Sequence, residues 1–467
     1  MSRRKVVILL LSLFTLCAAL LVSLTGKPGS PVTPSDDGTP SSQQPQVDHG
    51  AAKERKTLSI AVSMDEAEFQ YWNKRKDWFE LNHANIAIAL TNIRGLDPDD
   101  ARKTASEAGE PFDVMLLDDD RVREFAMQGY LLPVDEIVTG DSAADLLEAL
   151  TGMVKWNGSL WGVPVDSNPL LNVWSRKLLS AAGVQEPPKT MEAFKALAAA
   201  LSTEHPGNFS PFNLNTSDPR DLSAWLGLFP GNAAAAAALS PFTASQKEQL
   251  RYAAEHNSEL LRFNPLLQTE KLMHAFQSQQ LLSAVVPWTT YFALTDDERS
   301  LLTIGSANGP IVRTDGRSFV LTAETDKAAE AREWIQYMTG SSAELERYRL
   351  FGRLPARVSV MTGEFEYNAV ADKPPHFLAP MLKETAAAPD PPWRERWIRW
   401  ESLSSSLGGN SQAFGPGEAN ALIAQWNGET DGQTKDGAEA PSRQETGNES
   451  QARGDEPNEP KNESKGQ

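Results

Sequence analysis

Two acidic stretches carry the side chains best suited to chemistry. Ser63-Met64-Asp65-Glu66 follows the apolar run Leu58-Ser59-Ile60-Ala61-Val62, and Asp118-Asp119-Asp120-Arg121 follows Asp113-Val114-Met115-Leu116-Leu117. Short, continuously apolar runs read as strands buried on both faces. In α/β sheets ligands bind beyond the carboxyl ends of such strands. Carboxylates placed there accept hydrogen bonds from a ligand, or simply cap the next helix. Hydrolysis would need an acid and a base on opposite sides of a cleft. Asp118, Asp119 and Asp120 are consecutive, and no partner carboxylate is identifiable. There is no Ser-His-Asp order, metal-spaced His set, Walker A loop or Gly-x-Gly-x-x-Gly stretch, and His83, His256 and His274 are scattered. Binding is therefore expected, with no catalytic residue, no metal and no cofactor.

The elements that position these groups turn around Lys155–Leu179. Asn157-Gly158 lies between Trp156 and Leu160, and Asn-Gly supplies the two positive φ angles of a tight hairpin. Pro164 lacks an amide hydrogen and suits a strand edge or exit. The polar cluster Asp166-Ser167-Asn168-Pro169 leaves the strand. Leu170, Leu171, Val173 and Trp174 resume an apolar strand, and Ser175 opens a helix. A hairpin, a polar crossing and a new strand predict passage from one lobe to another. Asp166 and Asn168 lie on that crossing, where the alternative role is turn chemistry before Pro169.

The rest of the chain fits an α/β plan. Strands at 58–62, 86–90 and 113–117 alternate with helices over Phe69–Leu81 and Asp99–Gly109, which implies a parallel sheet. Phe69, Trp72, Trp78, Phe79 and Leu81 are the apolar positions of the first helix. Thr190 is the expected N-cap of a helix that carries Glu192 in its first turn. The alanine run 233–240 reads as a surface insertion. Ser283–Trp288 reads as a strand ending in Trp, Arg317–Thr322 as another, and Trp393, Trp397 and Trp400 as closing helical material. Thr303–Gly309 and Phe351–Arg357 are further crossing candidates.

At 467 residues the chain exceeds what one core usually organises, so two lobes are expected. Its net charge of −18 argues against nucleic acid as a partner. The single cysteine, Cys17, lies in the leading apolar run, so the body has no internal disulfide or thiolate metal site. Ser2-Arg3-Arg4-Lys5 precedes about 19 mostly apolar residues, enough to span a bilayer. The basic stub places the remainder outside the cell. The run is long for a cleaved signal, no Ala-x-Ala site follows, and Leu16 before Cys17 does not fit a lipid-attachment box. An uncleaved anchor over 1–25 is expected, then a tether over 26–56. Residues 427–467 read as a disordered acidic tail.

From Thr57 to Trp426 the chain resembles the extracellular solute-binding proteins of ABC importers, the family that includes maltose-binding protein. The resemblance rests on Pro111-Phe112-Asp113-Val114 through Gly129–Asp135, and on Trp161-Gly162-Val163-Pro164 with Trp174. It continues through Ala182-Gly183-Val184 to Thr190, Ser283–Trp288, Ala328–Gly340 and Leu354-Pro355-Ala356-Arg357. It implies a two-lobe, periplasmic-binding-protein-like (type II) α/β fold with an interlobe cleft. Lobe one would hold 57–163 and 309–350, and lobe two 164–308 and 351–426, with crossings near Pro164, Gly305 and Leu354. The implied function is capture of a mono- or oligosaccharide by hinge closure and delivery to an ABC permease, from a monomer anchored outside the membrane. The alternative is a tethered sensor or adhesin. By position, the resemblance implies ligand contacts at Asp65, Asp120 and Arg121, at Asp166 and Asn168 on the crossing, and at Trp174, Trp288 and Trp397. An aromatic plate beside carboxylates suits a sugar ring, which has an apolar face and a hydroxyl rim.

Overall fold

The computed structural model describes residues 55–229, 231–304, 314–363, 392–407 and 414–436, with isolated positions between 374 and 390. The expected anchor lies outside the described residues, as do most of the tether and the crossing near Gly305. The strands are β1 (Lys56–Val62), β2 (Ile86–Asn92), β3 (Val114–Asp118), β4 (Leu131–Leu132), β5 (Lys155–Trp156), β6 (Ser159–Leu160), β7 (Val163–Ser167), β8 (Leu170–Ser175), β9 (Ser210–Asn213), β10 (Leu281–Pro287), β11 (Leu302–Ile304), β12 (Arg317–Thr322) and β13 (Leu354–Pro355).

A seven-stranded sheet runs β13-β7-β12-β3-β1-β2, with β4 beside β12. Within it β1 is parallel to β2 and β3, as the strand–helix alternation implies, whereas β12 is antiparallel to both β3 and β7. A four-stranded sheet runs β11-β8-β10-β9. These sheets organise a large and a small lobe. Asn157 and Gly158 take φ of 49° and 84° in the β5–β6 hairpin, which feeds β7.

The passage between sheets falls within the polar crossing Asp166–Pro169 that the sequence predicts, and later than the boundary near Pro164 that the resemblance implies. All of β7 lies in the large sheet, so the chain leaves it at Asn168-Pro169 rather than at Pro164. Leu354 is not a crossing. It pairs with Ser167 in the large sheet, and Ala356 and Met361 pack into that lobe's core. Residues 164–167 and 351–363 therefore belong with the large lobe.

Each sheet has its own buried cluster. The first, around Trp72, Phe79, Phe125, Phe319 and Trp334, extends through Trp288 to Val173 and Val286 of the small sheet. The second contains Phe194, Phe212, Trp225, Trp400 and Trp426. The helix Glu66–Asn82 buries Trp72 and Phe79, two turns apart on one stripe. Trp78 and Leu81 lie off that stripe and are exposed. The alanine run is no loose insertion. It forms the helix Ala233–Ala238, and the Ala237 carbonyl accepts from Trp393 Nε1 at 2.8 Å. The last helix, Pro416–Asp436, runs ten residues beyond Trp426 into the segment expected to be disordered.

Candidate functional site

A cleft of about 440 Å³ opens between the two sheets, within the size range of small-molecule sites. Its large-lobe wall is built at strand ends. Asp65 follows β1 and caps the next helix, accepting from Glu68 N at 2.9 Å. Asp118 ends β3, and Asp119 and Asp120 form the first turn of the helix Asp119–Met127. The small-lobe wall holds Asn168 on the crossing, and Asp218, Arg220 and Asp221 at the start of the helix Pro219–Leu226. Asp218 caps that helix, and Pro219 occupies its first position, where no amide hydrogen is needed. Trp393 borders the cleft, with 3% of its surface exposed. Arg220 reaches across to Asp118 at 3.6 Å and links the walls.

The floor is a buried ionic cluster at the ends of β7, β12 and β13. Asp166 Oδ1 accepts from Arg317 Nε at 3.0 Å and from Arg353 Nε and Nη2 at 2.9 and 2.6 Å, and its Oδ2 accepts from Arg317 Nη2 at 2.6 Å. Arg317 also donates to both Glu68 oxygens at 2.6 and 3.1 Å. Burial alone would raise the Asp166 carboxyl. The fields of Arg317, Arg353 and Arg347 outweigh it and hold this carboxyl well below the usual carboxylate range. Asp119 goes the other way. Its burial, with Asp118, Asp120 and Asp166 nearby, pushes its carboxyl well up despite a 2.6 Å bond from Ser318 Oγ. Gly316 abuts it, because a Cβ there would lie 2.1 Å from Asp119 Oδ2. Burial, then Asp218, pushes Asp221 up to about 7. Among the described residues no group of His, Cys, Asp and Glu is arranged to hold a metal ion.

Of the residues singled out from the sequence, the structure places Asp65, Asp120 and Asn168 in the cleft wall. Five are elsewhere. Arg121 turns outward to Asp97 at 2.9 Å and Glu124 at 2.8 Å, because the helix it belongs to carries it past the cleft edge. Asp166 lies beneath the cleft floor, consumed by arginines. Trp174 is 1% exposed and packs edge-on to Phe194. Trp288 opens a helix rather than ending a strand, and its Nε1 donates to Gly352 O at 2.7 Å. Trp397 is stacked behind Trp393 at 5.4 Å, so Trp393 holds the cleft position.

Sequence reasoning missed Glu68, Asp218, Asp221, Arg317 and Arg353. Two signals were available. Asp218-Pro219 is a helix-start pair, and Arg317 heads an otherwise apolar strand, where a charge needs a buried partner.

Comparison with known proteins agrees with this architecture. Over 99 residues the chain is 27% identical to a maltotriose-binding protein of Pyrococcus abyssi, covering 21% of each chain. Over 161 residues it is 24% identical to an uncharacterised ABC transporter extracellular-binding protein of Pyrococcus horikoshii, covering 34% of this chain and 38% of that one. The chain thus spans well under two thirds of the length of either curated relative. The structure of the sugar-binding protein MalE from Xanthomonas citri superposes with a TM-score of 0.63 at 15% identity, covering 83% of this chain and 100% of that one, a likeness of fold. A family profile described as bacterial extracellular solute-binding protein matches residues 74–377. That profile covers more than half of the chain, including the small sheet and every strand of the large sheet except β1, so the chain belongs to the bacterial extracellular solute-binding protein family.

Proposed function

We propose that this protein captures a carbohydrate in the interlobe cleft by hinge closure and delivers it to an ABC importer. The observation that carries this reading is the polarity of the cleft. Carboxylates of Asp65, Asp118 and Asp221 line its walls, and the guanidiniums of Arg317 and Arg353 line its floor. A hydroxyl donates and accepts at once, so a polyol satisfies both surfaces. A polyamine offers only donors, and a simple carboxylate only acceptors. The names of the relatives, a maltotriose-binding protein and an ABC transporter binding protein, point the same way.

Closure follows from two lobes with ligand contacts on both. A ligand that bridges Asp65 on one wall and Asn168 or Asp221 on the other stabilises the closed form over the open one. The protein acts as a binder that leaves its ligand unchanged. It works as a monomer outside the cytoplasmic membrane, held there by the N-terminal apolar segment.

Calorimetric titration with a panel of malto-, cello- and xylo-oligosaccharides tests the reading. Saturable heat from at least one oligosaccharide, with a smaller radius of gyration in solution scattering, is the expected result. Binding of peptides, polyamines or metal ions with no response to any saccharide would overturn it.

A further inference from the structure

The two floor guanidiniums are not equivalent. A guanidinium carries five N–H donors in a rigid fork. Arg317 uses all three of its nitrogens, on Asp166 and Glu68. Arg353 uses only Nε and Nη2, both on Asp166 Oδ1. Its Nη1 makes no hydrogen bond among the described residues, yet the residue lines the cleft and 14% of its side chain is exposed. Nη1 keeps its donor capacity at the accessible end of the fork, and the cleft that Arg353 lines is the space a ligand would fill.

Asp166 fixes where that donor points. It is 1% exposed, does not line the cleft, and grips Arg353 through two nitrogens of one edge of the fork. Gripping one edge sets the plane of the whole guanidinium and leaves the other edge free. Arg353 leads straight into β13, and Leu354 pairs with Ser167, the residue after Asp166. Backbone and side chain thus register the same two segments.

We propose that Arg353 is a ligand-contacting, specificity-determining residue that donates from Nη1 to an acceptor oxygen of a bound saccharide. Asp166 is its positioning residue. This rests on the reading of the cleft as a saccharide site. It adds that the floor recognises an oxygen acceptor at one place on the sugar, while the walls take its hydroxyl hydrogens.

The test uses the full chain, a set of neutral trisaccharides, and monodeoxy analogues of whichever trisaccharide binds. Arg353→Met should weaken that trisaccharide at least about tenfold, the loss of one charge-assisted hydrogen bond, with an unchanged circular dichroism spectrum. One deoxy analogue should bind the wild type about tenfold more weakly and lose nothing further in Arg353→Met. Asp166→Asn should weaken binding too, and its effect should not add to that of Arg353→Met. Should Asp166→Asn fail to fold, the Arg353→Met titrations decide alone. Unchanged affinity in Arg353→Met, or a full further loss for every deoxy analogue, overturns the assignment and leaves saccharide capture standing. If the wild type binds no saccharide of any length, saccharide capture itself fails and the role of Arg353 falls with it.

Discussion

The indole N–H of Trp288 donates to the carbonyl of Gly352 at 2.7 Å, joining the helix that follows β10 of the small sheet to the large lobe. Around it, Trp288 N donates to Pro169 O at 2.8 Å, Thr289 N to Asn168 Oδ1 at 2.9 Å, and Asn168 N to Thr314 O at 3.0 Å. The crossing, the β10 exit and the approach to β12 are thus bonded to one another at the base of the cleft. Trp288 belongs to this joint, and its role there is structural.

Replacing Trp288 by Phe removes one buried hydrogen bond and orphans the Gly352 carbonyl, which costs about 1–3 kcal/mol. Urea unfolding measures the loss. Saccharide affinity of the folded variant should stay close to that of the wild type. A collapse of affinity with an intact fold would show that Trp288 does face the ligand.

Gly352 has φ of +69°, and a Cβ on it would lie 2.6 Å from the Phe292 ring. Gly352→Ala therefore combines left-handed strain with a clash, and should destabilise by about 2–4 kcal/mol. Adding Phe292→Ala removes the clash but not the strain. The double variant should lose less than the sum of the single losses, and strict additivity in denaturant titrations would argue against the contact.

Asp166 sets an acid-side dependence. Its folded carboxyl is held far below the unfolded one by Arg317, Arg353 and Arg347, against the effect of burial. Its contribution is then fully present above the unfolded value, near pH 4, and is lost as pH falls through the folded one. Asp166→Asn leaves buried arginines short of a carboxylate and should cost about 3–5 kcal/mol at pH 7. The deficit should shrink at pH 3. An equal deficit at both pH values, by urea unfolding, would contradict the ion cluster.

Asp221 works in the opposite sense. Burial, then Asp218, lifts its folded carboxyl to about 7. Between about pH 4 and 7 the folded state keeps a proton that the unfolded state has released, so stability falls as pH rises through that window. Asp221→Asn removes this penalty. Its melting temperature should match the wild type near pH 4 and exceed it at pH 8, as read by thermal unfolding in a pH series. A variant less stable at pH 8 would show that the ionised carboxylate is favoured in place.

Local patterns in the chain were enough for the building blocks. Apolar runs located β1, β2 and β3, Asn157-Gly158 located the hairpin, and Thr190 located a cap, which accepts from Ala193 N at 3.2 Å. Those signals involve neighbours in sequence, so the residues alone carry them. The same logic pointed to the loops of Asp65 and Asp120, which line the cleft at strand ends, whereas Asn168 came through the family resemblance.

What the tertiary structure alone decided is which charges meet and which aromatic rings border the cleft. Asp166 meets Arg317 and Arg353 across separations of 151 and 187 residues, and no local pattern encodes that pairing. Trp174, Trp288, Trp393 and Trp397 look alike in sequence. Whether an indole lines the cleft or fills a core depends on what packs over it. The deciding reason is physical: burial and charge pairing are properties of surroundings assembled from remote segments, whereas strands, turns and caps belong to the chain's own short range.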